Sequence, residues 1–165
     1  MKYVFVNGRV AIIVRYWEQQ GAAVDGGARV EVRRVDQLAG ANHRPGAAGL
    51  AIGPIGDGGL WRADLFMVLS EPGKPCFHYH PKFGDGDVGE RYEEPDLSAD
   101  PRRWIADQLS DISGLLKRAG ASELISSVDL DEHRAALPLM LAAVDACLAR
   151  LPAAIARHAG AAAAS

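Results

Sequence analysis

"WRADLFMVLSEPGKPCFHYHP", Trp61 to Pro81, is the stretch on which the fold turns. Residues 61–70 read as a strand rich in apolar side chains. "EPGK", 71–74, has Pro second and Gly third, the type II turn signature. "PCFHYHP", 75–81, then reads as the returning strand. With Pro72-Gly73 at the tip, Ser70 faces Pro75, Met67 faces His78 and Leu65 faces His80. Side chains alternate across a strand. This register therefore predicts His78 and His80 on the face of Trp61, Leu65, Met67 and Leu69. Phe66, Val68, Phe77 and Tyr79 form the second apolar face. A hairpin apolar on both faces belongs at the covered centre of a sheet.

Toward the N-terminus, "YVFVNGRVAIIVRYW" predicts another hairpin. Asn7-Gly8 is the expected two-residue type I′ turn, since both positions need positive φ. A turn is expected at Asp25-Gly26-Gly27. "ARVEVRRV", 28–35, then alternates Val30 and Val32 against Arg29, Glu31 and Arg33, a strand with one wet face. Residues 39–59 are dense in Gly, Ala and Pro without a period, and read as a long loop, either a lid or an insertion. No Gly-Lys-Ser/Thr follows, so it is not a phosphate-binding loop of the Walker type.

Toward the C-terminus the period becomes helical. Asp100 is an N-cap with Pro101 at the first helical position. Trp104, Ile105, Leu109, Ile112, Leu115, Leu116 and Ala119 make one apolar stripe, closed by Gly120. A second helix opens near Asp129 or Asp131; Asp129 with Glu132 three residues on resembles a capping box, and Pro138 and Pro152 kink or divide the helix. Residues 159–165 read as a frayed tail. Strands first and helices last predict an α+β fold. The expectation is one domain over residues 1–158, with an antiparallel sheet of about five strands (two hairpins plus one) and two or three C-terminal helices packed on it.

The chain has 165 residues, 48% of them hydrophobic and 24% charged, with a net charge of −3 and a pI near 5.9. That is the composition of a globular protein, with no general attraction to nucleic acid or to an anionic membrane. Two distant cysteines, Cys76 and Cys147, make no secreted disulfide framework. The opening apolar run is broken by Asn7-Gly8-Arg9 and does not read as a secretory leader. The most apolar later run, 137–149, contains Asp145 and is too short to span a bilayer. A soluble cytoplasmic protein is expected.

Chemistry concentrates at Cys76, His78 and His80, two apart and so on one face of a strand. Thiolate and neutral imidazole are the preferred ligands of zinc. Asp85, Asp87 or Glu90 in the following loop would complete a site for zinc or another divalent metal. The competing reading makes both histidines hydrogen-bonded core residues and Cys76 a small core side chain. The loop "DGDVGERYEE" offers Asp85, Asp87, Glu90, Glu93 and Glu94 to Ca²⁺ or Mg²⁺, but lacks the EF-hand glycine and reads more simply as an acidic turn. In an acid–base site, His78 or His80 would be the catalytic residue, beside Arg62, Asp64 or Arg91. No Gly-x-Ser-x-Gly nucleophile motif is present. His-x-His with a nearby Glu and a distant His marks cupins, but no Glu stands just past His80. His43, His133 and His158 stand alone, and the last two are expected to be solvated.

The run from Trp61 to Gly120 resembles a group of small, uncharacterised bacterial proteins, mainly actinobacterial. These have a His-Tyr-His-Pro segment, an acidic linker and an Ala-Asp-Pro start to a Trp-bearing helix. The matching residues are His78, Tyr79, His80, Pro81, Ala99, Asp100, Pro101 and Trp104. The resemblance implies a bacterial origin and a domain extent, but no mechanism.

Two function classes follow. One is a small binding or regulatory module acting through a partner surface, for which a homodimer or other homo-oligomer would serve. The other is a metal-dependent or His-based hydrolase or nuclease. The hydrolase needs His78 and His80 on the floor of a pocket with acidic ligands in reach. The module needs them dry and packed, with an exposed apolar patch elsewhere.

Overall fold

The computed structural model describes residues 1–20, 24–35, 58–69, 75–84 and 88–162. The loop expected over 39–59 lies almost wholly outside them, as do the proposed turn tip Pro72-Gly73, Asp85, Asp87 and His43.

Five strands form one antiparallel sheet in chain order: β1 (Lys2–Asn7), β2 (Val10–Gln20), β3 (Val24–Arg34), β4 (Gly59–Val68) and β5 (His78–His80). Several helices follow: α1 (Pro95–Ala99), α2 (Pro101–Ser110), α3 (Ile112–Arg118), α4 (Leu130–Leu148) and α5 (Leu151–Ala162), with a 3₁₀ turn at Ser122–Ser127. The expected α+β fold is the one observed.

The helices cover one sheet face. Val10, Ile12 and Val14 on β2, Ala28, Val30 and Val32 on β3, and Trp61, Ala63 and Leu65 on β4 are all buried there. Trp104, Ile105, Leu109, Leu116, Met140 and Val144 pack onto them from the helices. Each large side chain buried this way contributes about 1.5–3 kcal/mol. The stretch Leu130–His158 is long and apolar enough to cross a membrane, more than the run 137–149 suggested. Its Met140, Leu141, Val144 and Cys147 are nevertheless buried in this core.

The caps explain the helix starts. Asp100 accepts the Arg103 amide at 2.9 Å, as expected. The stripe from Trp104 to Leu116 does not form one helix, however. Asp111 ends α2 and caps α3 by accepting the Gly114 amide at 2.9 Å. Asp and Ser side chains compete with the helix ladder in this way. Pro152 stands second in α5, and the chain divides just before it.

The first hairpin differs from its expected turn. Asn7 pairs with Val10, so the two loop residues are Gly8 and Arg9. Gly8 has φ 57° and no non-glycine among the described residues, Arg9 included, has positive φ, which gives the signs of a type II′ turn. Asn7 is used elsewhere. Its side-chain amide donates to the Asp129 carbonyl at 2.7 Å, and its Oδ1 accepts the Asp129 amide at 2.9 Å. Asp129 in turn caps α4, accepting the Asp131 and Glu132 amides at 3.0 Å each. Asn7 thus fills the place that a reciprocating Glu132 would hold in a capping box.

The turn expected at Asp25-Gly26-Gly27 is instead strand, paired with β2 and β4. Gly27 is required by close approach: a Cβ there would lie 1.9 Å from the Leu65 carbonyl oxygen.

Candidate metal centre

The register of β4 against β5 builds the site. Asp64 pairs with His78, Ala63 with Tyr79 and Arg62 with His80, and Met67 bridges to Pro75. The two-residue tip predicted Met67 opposite His78 instead, a slip of three positions. An odd slip turns every side chain of one strand to the other face. His78 and His80 therefore stand with Arg62, Asp64 and Phe66, while Tyr79 and Phe77 join Trp61, Ala63 and Leu65 on the helix side. The physical reason lies in what each face offers: the helix side packs Phe77 and Tyr79 against the apolar core, and the other side sets the histidines beside Asp64 and Arg62. At the end of β4 the amide of Leu69 donates to the Val24 carbonyl at 2.8 Å, and its side chain is fully buried beside Leu151 and Ala154.

Two rows rich in charged side chains cross the face away from the helices: Arg15, Arg29, Asp64 and His78, then, beginning at apolar Ile13, Glu31, Arg62 and His80. The alternation in 28–35 predicted a wet face. Arg29 and Arg62 are each only 9% exposed, Glu31 2% and Asp64 1%. Such burial requires pairing. Arg29 Nε donates to Asp64 Oδ1 at 2.5 Å. Glu31 accepts from Arg15 through Oε1 and from Arg33 through Oε2, both at 2.8 Å.

Asp64, His78 and His80 form the one cluster among the described residues that could hold a metal ion. His78 Nδ1 lies 2.8 Å from the Cys76 carbonyl oxygen. Nδ1 must donate there, so neutral His78 presents a bare Nε2. That Nε2 is 3.3 Å from Asp64 Oδ2, and His80 Nε2 is 3.8 Å from the same oxygen. Donor atoms on one tetrahedral zinc, each about 2.0–2.1 Å from the ion, stand about 3.3 Å apart. Arg62 lies across this group. One of its terminal nitrogens donates to His80 Nε2 at 2.9 Å. Its Nε is 3.0 Å from Asp64 Oδ2 but not aligned for a hydrogen bond, so Oδ2 is buried without a hydrogen-bond partner.

Burial alone would push the Asp64 carboxyl up, but a hydrogen bond from His78, when its Nε2 carries a proton, and the charges of Arg29 and Arg62 outweigh it and hold the group below its ordinary value. His80 is pushed down, first by burial and then by the Arg62 and His78 charges. It is therefore neutral at neutral pH, the form that ligates metals.

The other candidates fall outside this cluster. Cys76 donates its thiol to the Phe66 carbonyl at 3.3 Å, and burial raises its pKa, which disfavours the ligating thiolate. Glu90 is exposed and accepts from the Tyr92 hydroxyl. Glu94 accepts from the Tyr79 hydroxyl at 2.7 Å and from Trp104 Nε1 at 2.8 Å, on the helix side. Asp64 had entered only as an acid–base partner, and the hairpin register makes it the third ligand candidate. His133, expected in solvent, is 4% exposed and hydrogen-bonded to the Leu109 carbonyl at 2.8 Å. Clefts of about 170 and 280 Å³ open beside His133 and beside Trp104, and neither includes His78 or His80.

Compared with protein-family models, with curated proteins and with solved structures, the chain matches none of them.

Proposed function

We propose that this chain is a metal-binding protein, with zinc or another divalent ion held by Asp64 Oδ2, His78 Nε2 and His80 Nε2. One observation carries the reading. A bare imidazole nitrogen and a carboxylate oxygen that accepts no hydrogen bond face each other at 3.3 Å, with a second imidazole nitrogen 3.8 Å from that oxygen. Atoms that all offer electron pairs repel unless a cation lies between them, and a metal ion serves all three. The Cys76 carbonyl fixes the His78 tautomer and the Arg29 guanidinium orients Asp64, as supporting residues do around metal ligands. Three protein ligands would leave one position open, where an ion, if bound, would supply the activation of water that hydrolysis needs.

A second reading has its own observation. Arg62 already brings a cation to both His80 Nε2 and Asp64 Oδ2. With a proton on His78 Nε2, Asp64 Oδ2 is served without metal, and the chain is a binding or regulatory module stiffened by a buried charge lock.

Elemental analysis separates the two. The protein is purified without a metal-affinity step, beside a His78→Ala/His80→Ala variant whose fold is checked by circular dichroism. Near-stoichiometric metal in the wild type, lost in the folded variant, supports the metal centre. Metal-free wild type that also fails to take up added zinc refutes it and leaves the charge lock.

A further inference from the structure

We propose that the charged sheet face carries an oxyanion-binding site built from Arg15, Trp17 and Arg29. The site follows from donors and acceptors that do not balance.

Arg15 and Arg29 stand directly opposite on β2 and β3. Like charges in that position repel, and both guanidiniums lie against one indole, 4.6 and 5.0 Å from the centre of the Trp17 ring. Three carboxylates share this face, Asp25, Glu31 and Asp64, and the strongest contacts of the last two are already committed. Glu31 Oε1 accepts from Arg15 and Oε2 from Arg33, while Asp64 Oδ1 accepts from Arg29 Nε. Arg33 has a further contact of its own and is set aside. Among the described residues, Arg15, Arg29 and Arg62 bring three positive charges to Asp64 and to Glu31, which Arg33 shares, and Asp25 is in an ion pair with none of them.

The unmet donors mark where the missing negative charge belongs. Arg15 Nε and Trp17 Nε1 are both buried without a hydrogen-bond partner. Among the described residues, Nε is the only atom of Arg29 that donates a hydrogen bond. A buried donor left unmet costs about 1–3 kcal/mol, and here both unmet donors belong to side chains in contact with each other. A carboxylate or a phosphate group is the ligand chemistry that answers both, because planar guanidinium forks and an indole N–H are all donors. The Arg15 side chain is 25% exposed, so the site is open to solvent at that end. It adjoins the proposed metal through the Arg29–Asp64 bond but does not require the metal.

Isothermal titration of the full-length chain tests this after dialysis against EDTA, so that the outcome is independent of metal. Inorganic phosphate is the titrant in one arm and acetate in the other, at ionic strength held constant with sodium chloride. Saturable binding of at least one anion is expected, weakened about tenfold or more in Arg15→Gln, as for loss of a charged hydrogen bond. Trp17→Phe, which keeps a ring and removes the N–H, weakens it as well. Binding of phosphate alone assigns a phosphate ligand, and binding of acetate a carboxylate. If neither anion saturates the wild type, or if a folded Arg15→Gln binds as the wild type does, the proposal fails. Should Arg15→Gln not fold, Trp17→Phe decides by the same criterion.

Discussion

Asp64 and His78, fourteen residues apart in sequence, are direct cross-strand partners, and the Oδ2 of one lies 3.3 Å from the Nε2 of the other. Neither side chain is free to withdraw. Asp64 is held from its other oxygen by Arg29, and His78 from its other nitrogen by the Cys76 carbonyl. Their approach is therefore built into the sheet.

Replacing Asp64 with Asn is expected to cost about 3–5 kcal/mol, because Arg29 and Arg62 would remain buried without their shared carboxylate. Urea unfolding of metal-free protein measures it. A loss below about 1 kcal/mol would mean that the two arginines find water or other partners once the carboxylate is gone.

Stability of the metal-free protein is expected to fall as the pH drops below about 6.5, the ordinary imidazole value. His80 has a lowered pKa in the folded state, chiefly through burial. Between its folded and unfolded values the unfolded chain binds more protons, so acid favours unfolding over that window, and the contribution is complete above about 6.5. Asp64, also lowered, adds a further loss only below about pH 4. Melting temperatures at pH 7.5, 6.5 and 5.5 should decline, and the decline should be shallower in His80→Gln.

Tyr79 is pushed up to about 12, first by burial and then by its bond to Glu94. In Glu94→Gln the anion is removed, and Tyr79 is expected to titrate closer to the ordinary value of about 10. The same change turns an acceptor carboxylate into an amide that must satisfy two donors, Tyr79 and Trp104. Phenolate absorbance across a pH titration reads the shift, and an unchanged curve would leave burial as its whole cause.

Asn7→Ala removes both hydrogen bonds to Asp129 and is expected to cost about 1–2 kcal/mol. Gly8→Ala is expected to cost more, since its φ is 57° and a Cβ would stand 1.7 Å from the Ser127 carbonyl oxygen. Thermal melts of the two variants give the order. Equal losses would show that the loop relaxes around the new methyl group.

Much of the fold could be read along the chain because its signals are local. The N-cap at Asp100, the apolar stripe of Trp104 to Leu116 and the alternation around Val30 and Val32 each depend on neighbours a few residues away. The break at Asp111 was hidden, because the stripe continues through it while the backbone does not. The site was legible as a set of residues and not as an arrangement. His78 and His80 stood out, whereas their partner depended on pairing. Arg62 and Asp64 share a parity with Arg29, Glu31 and Arg33 once the strands are aligned, but nothing local says which parity faces the histidines.

The sequence by itself determined the element types and their order, because hydrophobic period and capping chemistry are properties of short segments. Only the tertiary structure decided the partners. The pairing of β4 with β5 stands three positions from the tight hairpin, in the register that packs Phe77 and Tyr79 against the helix-side core. That odd shift takes His78 and His80 from the apolar side to the side of Asp64. Register is a competition between the two faces for a strand's side chains, and it is weighed against residues distant in sequence.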